Sequence, residues 1–160
     1  MKWYSAVSEN IVLKDAFKEC TSNMQQEVCD SIDLVIAFVG SDFSESYDLL
    51  PKLVNDQFPN AVLLGCSGNG IIGDGREIEQ RPGLALTFAS MPGVFISPFH
   101  LMDKDLPDGD DSPQKWESLF GVQASSHPDF VILSDPFSMR VQNLISGLDY
   151  AYPGSTVIGG

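Results

Sequence analysis

The residues of this sequence best suited to chemistry are gathered in one stretch, Gly65-Cys66-Ser67-Gly68-Asn69-Gly70-Ile71-Ile72-Gly73-Asp74-Gly75. Residues 68–73 match G-x-G-x-x-G and follow an apolar run that reads as a strand, which is half of a dinucleotide-binding fingerprint. The other half is absent. Asp74-Gly75 is a turn pair, no helical period follows, and nothing places a pyrophosphate on a helix N-terminus. A nucleophile elbow around Ser67 fails too, because Asn69 stands where glycine is required. The histidines that could serve as a base are His100, inside an apolar run, and His127, beside a proline; both read as structural. Cys66, at a strand's carboxyl end and facing the amides of the next turn, could hold a lowered-pKa thiol, but a buried, inert cysteine is the favoured reading. What the stretch does offer is a cradle for a small ligand, formed by Gly65, Cys66, Ser67, Gly68, Asn69 and Gly70. Glycines let backbone amides approach a bound molecule closely, and open α/β sheets bind ligands at the carboxyl ends of their strands. The competing reading is a glycine-rich connection that needs positive φ and nothing more.

Two other groupings lead to no site. Five aspartates fall between Asp103 and Asp111, but counted from Asp103 the fifth residue is Pro107 and the sixth Asp108, which breaks the calcium-loop order. An exposed acidic loop is expected there. Three cysteines include no C-x-x-C pair, and Cys20 and Cys29 sit nine positions apart on an expected helix. That spacing is roughly 13 Å of rise, beyond the roughly 7 Å that a disulfide spans between Cα atoms. Free thiols in a reducing, intracellular compartment are therefore expected, with cytoplasm and an organelle interior such as a plastid both open. No metal and no cofactor is expected.

The elements that position these residues follow from periodicity. Trp3–Val7 reads as a short strand, and from Ile11 to Asp30 the apolar Leu13, Ala16, Phe17, Cys20, Met24 and Val28 recur at helical spacing. Leu34–Val39 is apolar on both faces, as a central strand covered by helices would be. Ser44 is expected to cap a helix with Leu50, Leu53, Val54 and Phe58 inward, followed by a strand over Ala61–Leu64. Leu84–Ala89 and Val94–Phe99, joined by Met91-Pro92-Gly93, suggest an antiparallel hairpin over 84–99. Ser112-Pro113 opens a helix burying Trp116, Leu119 and Phe120; Phe130–Leu133 is a strand. Asp135-Pro136 opens a last helix with Val141, Leu144, Ile145 and Leu148 inward, and a strand begins at Thr156. The fold class expected is α/β, a largely parallel or mixed sheet flanked by helices.

The 160 residues suggest a single domain, 1–160, and the strand beginning just before Gly160 suggests the front part of something longer. Nine Lys and Arg against 22 Asp and Glu leave a net charge of −13, which argues against nucleic acid and anionic membrane surfaces as partners. The longest apolar run, Leu34–Val39, is too short for a transmembrane helix, and the start lacks a secretory h-region. At 43% apolar residues the chain is too hydrophobic for a disordered acidic tail.

Taken together, Asp33–Val39, Leu64–Gly73, Arg76-Glu77-Ile78-Glu79, Met91-Pro92-Gly93-Val94, Tyr152-Pro153-Gly154 and Val157-Ile158-Gly159-Gly160 resemble the N-terminal FIST domain in order and spacing. The resemblance implies a ligand-sensing module of signal-transduction proteins, proposed to bind small molecules such as amino acids, and usually followed by a C-terminal FIST domain. It carries over no catalytic residues. The expectation is a non-enzymatic domain that binds an amino-acid-like metabolite at Gly65–Gly70, partnered by a C-terminal FIST domain or another protein. The alternative is an accessory subunit that uses a FIST-like domain to dock within a larger complex.

Overall fold

A computed structural model describes residues 1–22, 24, 31–109 and 111–160. Cys29, Val28 and the expected last turns of the first helix lie outside the described residues. The chain is organised as two compact units, Met1–Ile96 and Ser97–Gly160.

The first unit is built on a four-stranded mixed sheet in the order β1-β6-β2-β3. β1 (Lys2–Ser8) runs antiparallel to β6 (Leu84–Ser90), β6 antiparallel to β2 (Leu34–Gly40), and β2 parallel to β3 (Val62–Gly68). Side chains alternate across a strand, so Val35, Ala37 and Val39 share one face with Leu84, Leu86 and Phe88, and all six are buried. α1 (Leu13–Ser22) and α2 (Leu49–Gln57) close that face with Ala16, Phe17, Cys20, Leu50 and Val54. α1 starts where it does because Asn10 accepts the Val12 N–H at 3.0 Å, an Asx arrangement that satisfies a free helix donor. The opposite face is covered in part by the hairpin of β4 (Gly70–Gly73) and β5 (Arg76–Glu79), whose Ile71 and Ile78 pack on Ala85 and Val7. Elsewhere on it Trp3 remains 52% and Phe38 36% exposed.

In the second unit α3 (Pro113–Phe120), β7 (Phe130–Ile132), α4 (Val141–Ala151) and β8 (Val157–Gly159) follow in order, with β7 and β8 parallel. Its core is aromatic. Trp116, Phe120, Phe130 and Tyr152 are buried with Leu144 and Leu148, and the Tyr152 hydroxyl donates to the Val122 carbonyl at 2.9 Å. Among the described residues no helix is long and apolar enough to cross a membrane.

Several expectations change. The hairpin over 84–99 does not form: β6 already has β1 on one edge and β2 on the other, so it has no edge left for residues 94–99, which are not a strand. Pro92 followed by Gly93 at φ +83° makes a turn closed by the Val94 N–H on the Met91 carbonyl, the pattern of a type II turn, which splays strands rather than pairing them. The hairpin lies instead at 70–79, around Asp74 (φ +48°) and Gly75 (φ +69°), the positive-φ pair that matches strand twist. Ser44 does not start an α-helix. Residues Ser41–Ser46 form a 3₁₀ segment and α2 begins at Leu49, which places Pro51 in the first turn, where its missing N–H has no helical partner to lose. α4 begins at Val141 rather than at Asp135-Pro136, because Asp135 closes its own turn on the Phe137 N–H, while the Asp103 carboxylate takes the N–H of Arg140 at the helix start.

Candidate functional site

The six candidate residues are brought together, but not as a loop. Gly65, Cys66, Ser67 and Gly68 are the carboxyl half of β3, in register with Ala37, Phe38, Val39 and Gly40; Asn69 links the strands and Gly70 opens β4. The strand expected to end at Leu64 continues because its parallel neighbour β2 offers a partner as far as Gly40. None of Gly65, Gly68, Gly70 and Gly73 has positive φ, so neither a flexible loop nor a left-handed connection describes the segment.

Internal packing accounts for part of the glycine content. A Cβ at Gly65 would stand 2.2 Å from the Ala37 carbonyl oxygen, and one at Gly68 would stand 3.0 Å from that of Gly70. At Gly70 the nearest atom would be the Glu79 Cγ at 3.6 Å, ordinary contact, so packing does not demand glycine there. Gly65, Cys66, Ser67, Asn69 and Gly70 are exposed. Cys66 is therefore not the buried, inert thiol expected from its strand: it lies on an edge strand, on the incompletely covered face beside Phe38. The buried thiol is Cys20, whose Sγ donates to the Leu84 carbonyl at 3.7 Å and which burial pushes up to about 12.

The segment lies at the carboxyl ends of the parallel pair, the position where open α/β sheets place ligands. Ser67 and Asn69 supply a hydroxyl and an amide. His100 and His127 both belong to the second unit and both are exposed, so the first unit holds no histidine to act as a base for Cys66 or Ser67. Among the described residues no group of three His, Cys, Asp or Glu is placed to hold a metal ion. The second unit has an open cleft of about 550 Å³ between Asp105, Asp111, Lys115 and Leu119, and it includes none of the six.

One feature of the site escaped the sequence: β3 is an outer strand. Among the described residues it pairs only with β2, so half of its backbone groups point away from the sheet. Hydrophobic alternation does not distinguish an edge from a centre, and only the absence of charge from Val62 to Gly68 hinted at an unusual edge.

Comparison with known proteins places these features. Two uncharacterized proteins of Mycobacterium tuberculosis, one from strain CDC 1551 / Oshkosh and one from strain ATCC 25618 / H37Rv, are each 27% identical over 150 residues. The match covers 92% of this chain but 37% of either relative. No solved structure matches the chain significantly. The family model of the FIST N domain matches residues 33–160, which takes in β2, the candidate segment and the whole second unit. The chain thus belongs to the FIST N domain family, sensory domains of signal transduction.

Proposed function

We propose that this chain is a non-enzymatic sensory domain that binds a small, amino-acid-like metabolite along Gly65–Gly70. The observation that carries the reading is the exposed carboxyl half of β3, where glycine leaves main-chain groups uncovered beside Ser67 and Asn69. A ligand with both a carboxylate and an ammonium group suits this setting. Backbone N–H groups, the Ser67 hydroxyl and the Asn69 amide donate to the carboxylate, and the acidic surroundings favour the ammonium. The signal is the difference in affinity that the bound ligand makes for what docks beside this strand end. A thermal-shift and equilibrium-dialysis screen of amino acids and related metabolites tests this. A hit is expected whose effect disappears in Ser67→Ala/Asn69→Ala, and a screen without a hit, or with a hit that the double variant retains, overturns it.

A second reading, a docking module within a larger complex, is favoured by a different observation, the outer edge of β3, which no strand pairs with among the described residues.

A further inference from the structure

Exposed sheet edges are normally blunted by lysine, proline, a bulge or a covering element, because their free N–H and C=O groups recruit other chains. Among the described residues β3 carries none of these devices. Its residues Val62-Leu63-Leu64-Gly65-Cys66-Ser67-Gly68 include no charge and no proline, and they pair with β2 without a bulge over the full strand. The Val62 N–H donates to the Asp33 carbonyl, and the alternation of a parallel ladder from that point turns the backbone groups of Leu63, Gly65 and Ser67 outward. Gly65, Cys66 and Ser67 are exposed and small, so no side chain bars the approach of another backbone. The β4–β5 hairpin does not cover the edge either, since its Ile71 and Ile78 pack on the sheet face at Ala85 and Val7.

Charge selects among extended segments. The carboxylate of Asp42 lies beside Gly40, the register partner of Gly68, and the Glu79 side chain lies beside Gly70, so acidic groups flank the carboxyl end of β3. The nearby cations Arg76 and Arg81 are both engaged by Glu9, at 3.7 and 2.8 Å. Up to Ile96 the chain carries thirteen Asp and Glu against six Lys and Arg. From this geometry we infer that the outer edge of β3 receives an extended, lysine- and arginine-bearing segment of a partner protein as a fifth strand of the sheet, hydrogen-bonded at Leu63, Gly65 and Ser67. The inference rests on the docking reading, not on the metabolite one. Main-chain pairing supplies the affinity of such strand addition, and the acidic flank supplies the preference for cations.

The test uses the full chain with two ten-residue synthetic peptides, one alternating lysine with valine and one alternating glutamate with valine. The lysine peptide is expected to bind and to slow amide hydrogen exchange at Leu63, Gly65 and Ser67. Its affinity should fall about tenfold in Asp42→Lys/Glu79→Lys, a change confined to surface charge. Ser67→Pro, which removes an outward N–H, should abolish binding; Ser67→Lys, which repels the peptide without touching the backbone, should do the same if the proline variant fails to fold. Equal binding of the glutamate peptide overturns the charge preference and leaves the docking reading standing. Binding of neither peptide, with exchange at the three amides unchanged, overturns both. Protection of those amides by self-association of the peptide-free chain overturns the proposal in favour of a second copy.

Discussion

Gly147, in the middle of α4, should resist even one added methyl group. In an open helix Gly→Ala stabilises by about 0.5–1 kcal/mol, because alanine restricts the unfolded chain and suits the helical backbone. Here a Cβ would stand 2.0 Å from both Cζ2 and Cη2 of Trp116. Carbon atoms pack at about 3.5–4.0 Å, so the indole or the helix must retreat by roughly 1.5–2 Å. Trp116 is 3% exposed and stacks on Phe120, which itself meets Phe130 and Tyr152 at ring-centroid distances of 5.4 and 6.0 Å. Overpacking of that kind costs about 1–3 kcal/mol or more, and a displacement this large belongs at the upper end. Subtracting the helix gain leaves Gly147→Ala destabilising by about 2 kcal/mol. Urea unfolding followed by tryptophan fluorescence in a Trp3→Phe background reads Trp116 alone, and the midpoint should drop by roughly 1 M. With Trp116→Leu present, and unfolding read by circular dichroism, the same alanine should become neutral or stabilising. An unchanged or higher midpoint for Gly147→Ala alone refutes the packing read from this contact.

The two cysteines described in the structure should differ sharply. Iodoacetamide is expected to modify Cys66 in the native chain and Cys20 only after unfolding, and equal rates would refute their placement. Because burial holds the Cys20 thiol up to about 12 while an unfolded thiol titrates near 8.5, the native state keeps a proton that the unfolded state releases. Stability should therefore fall as pH rises from about 8.5 toward 12, and urea unfolding of Cys20→Ala should show less of that fall; an identical alkaline slope would count against it. At the acid end, hydrogen bonds from the Arg140 guanidinium and backbone N–H hold the Asp103 carboxyl below its ordinary value. Its contribution is complete at neutral pH and lost as pH drops below about 4. Asp103→Asn should flatten that part of the melting-temperature profile, and superimposable profiles would show that the contact does not form in solution.

Local signals carried much of the fold. Leu34–Val39 declares a central strand because both faces are apolar, and Ser112-Pro113 marks the start of α3 within one residue of where it begins. Expectations failed where a distant partner decides. Gly65 to Gly68 look like a loop because glycine weakens a lone strand, yet seven residues of β2 in parallel register hold them extended. Asp74-Gly75 reads as a turn, but Arg76–Glu79 reads as polar because Ile78 alone points inward, so the more apolar 84–99 looks like the better hairpin. The candidate site was legible as a location. Its exposure, and its place on an outer strand, depend on which strands meet across the sheet.

The pairing of β1 also fixes an order of events during synthesis. Lys2 pairs with Ser90 and Ser8 with Leu84, so during synthesis β1 meets its sheet neighbour only after about 80 more residues have been made. At about 5–20 residues per second that is a wait of roughly 4–16 seconds, with Trp3, Tyr4, Ala6 and Val7 unpaired. Nascent chains arrested before Leu84 should remain protease-sensitive and draw chaperones. Those arrested after Ser90 has cleared the tunnel should acquire protection at once in β1, β2 and β6, making β6 the keystone that locks a sheet whose other strands precede it.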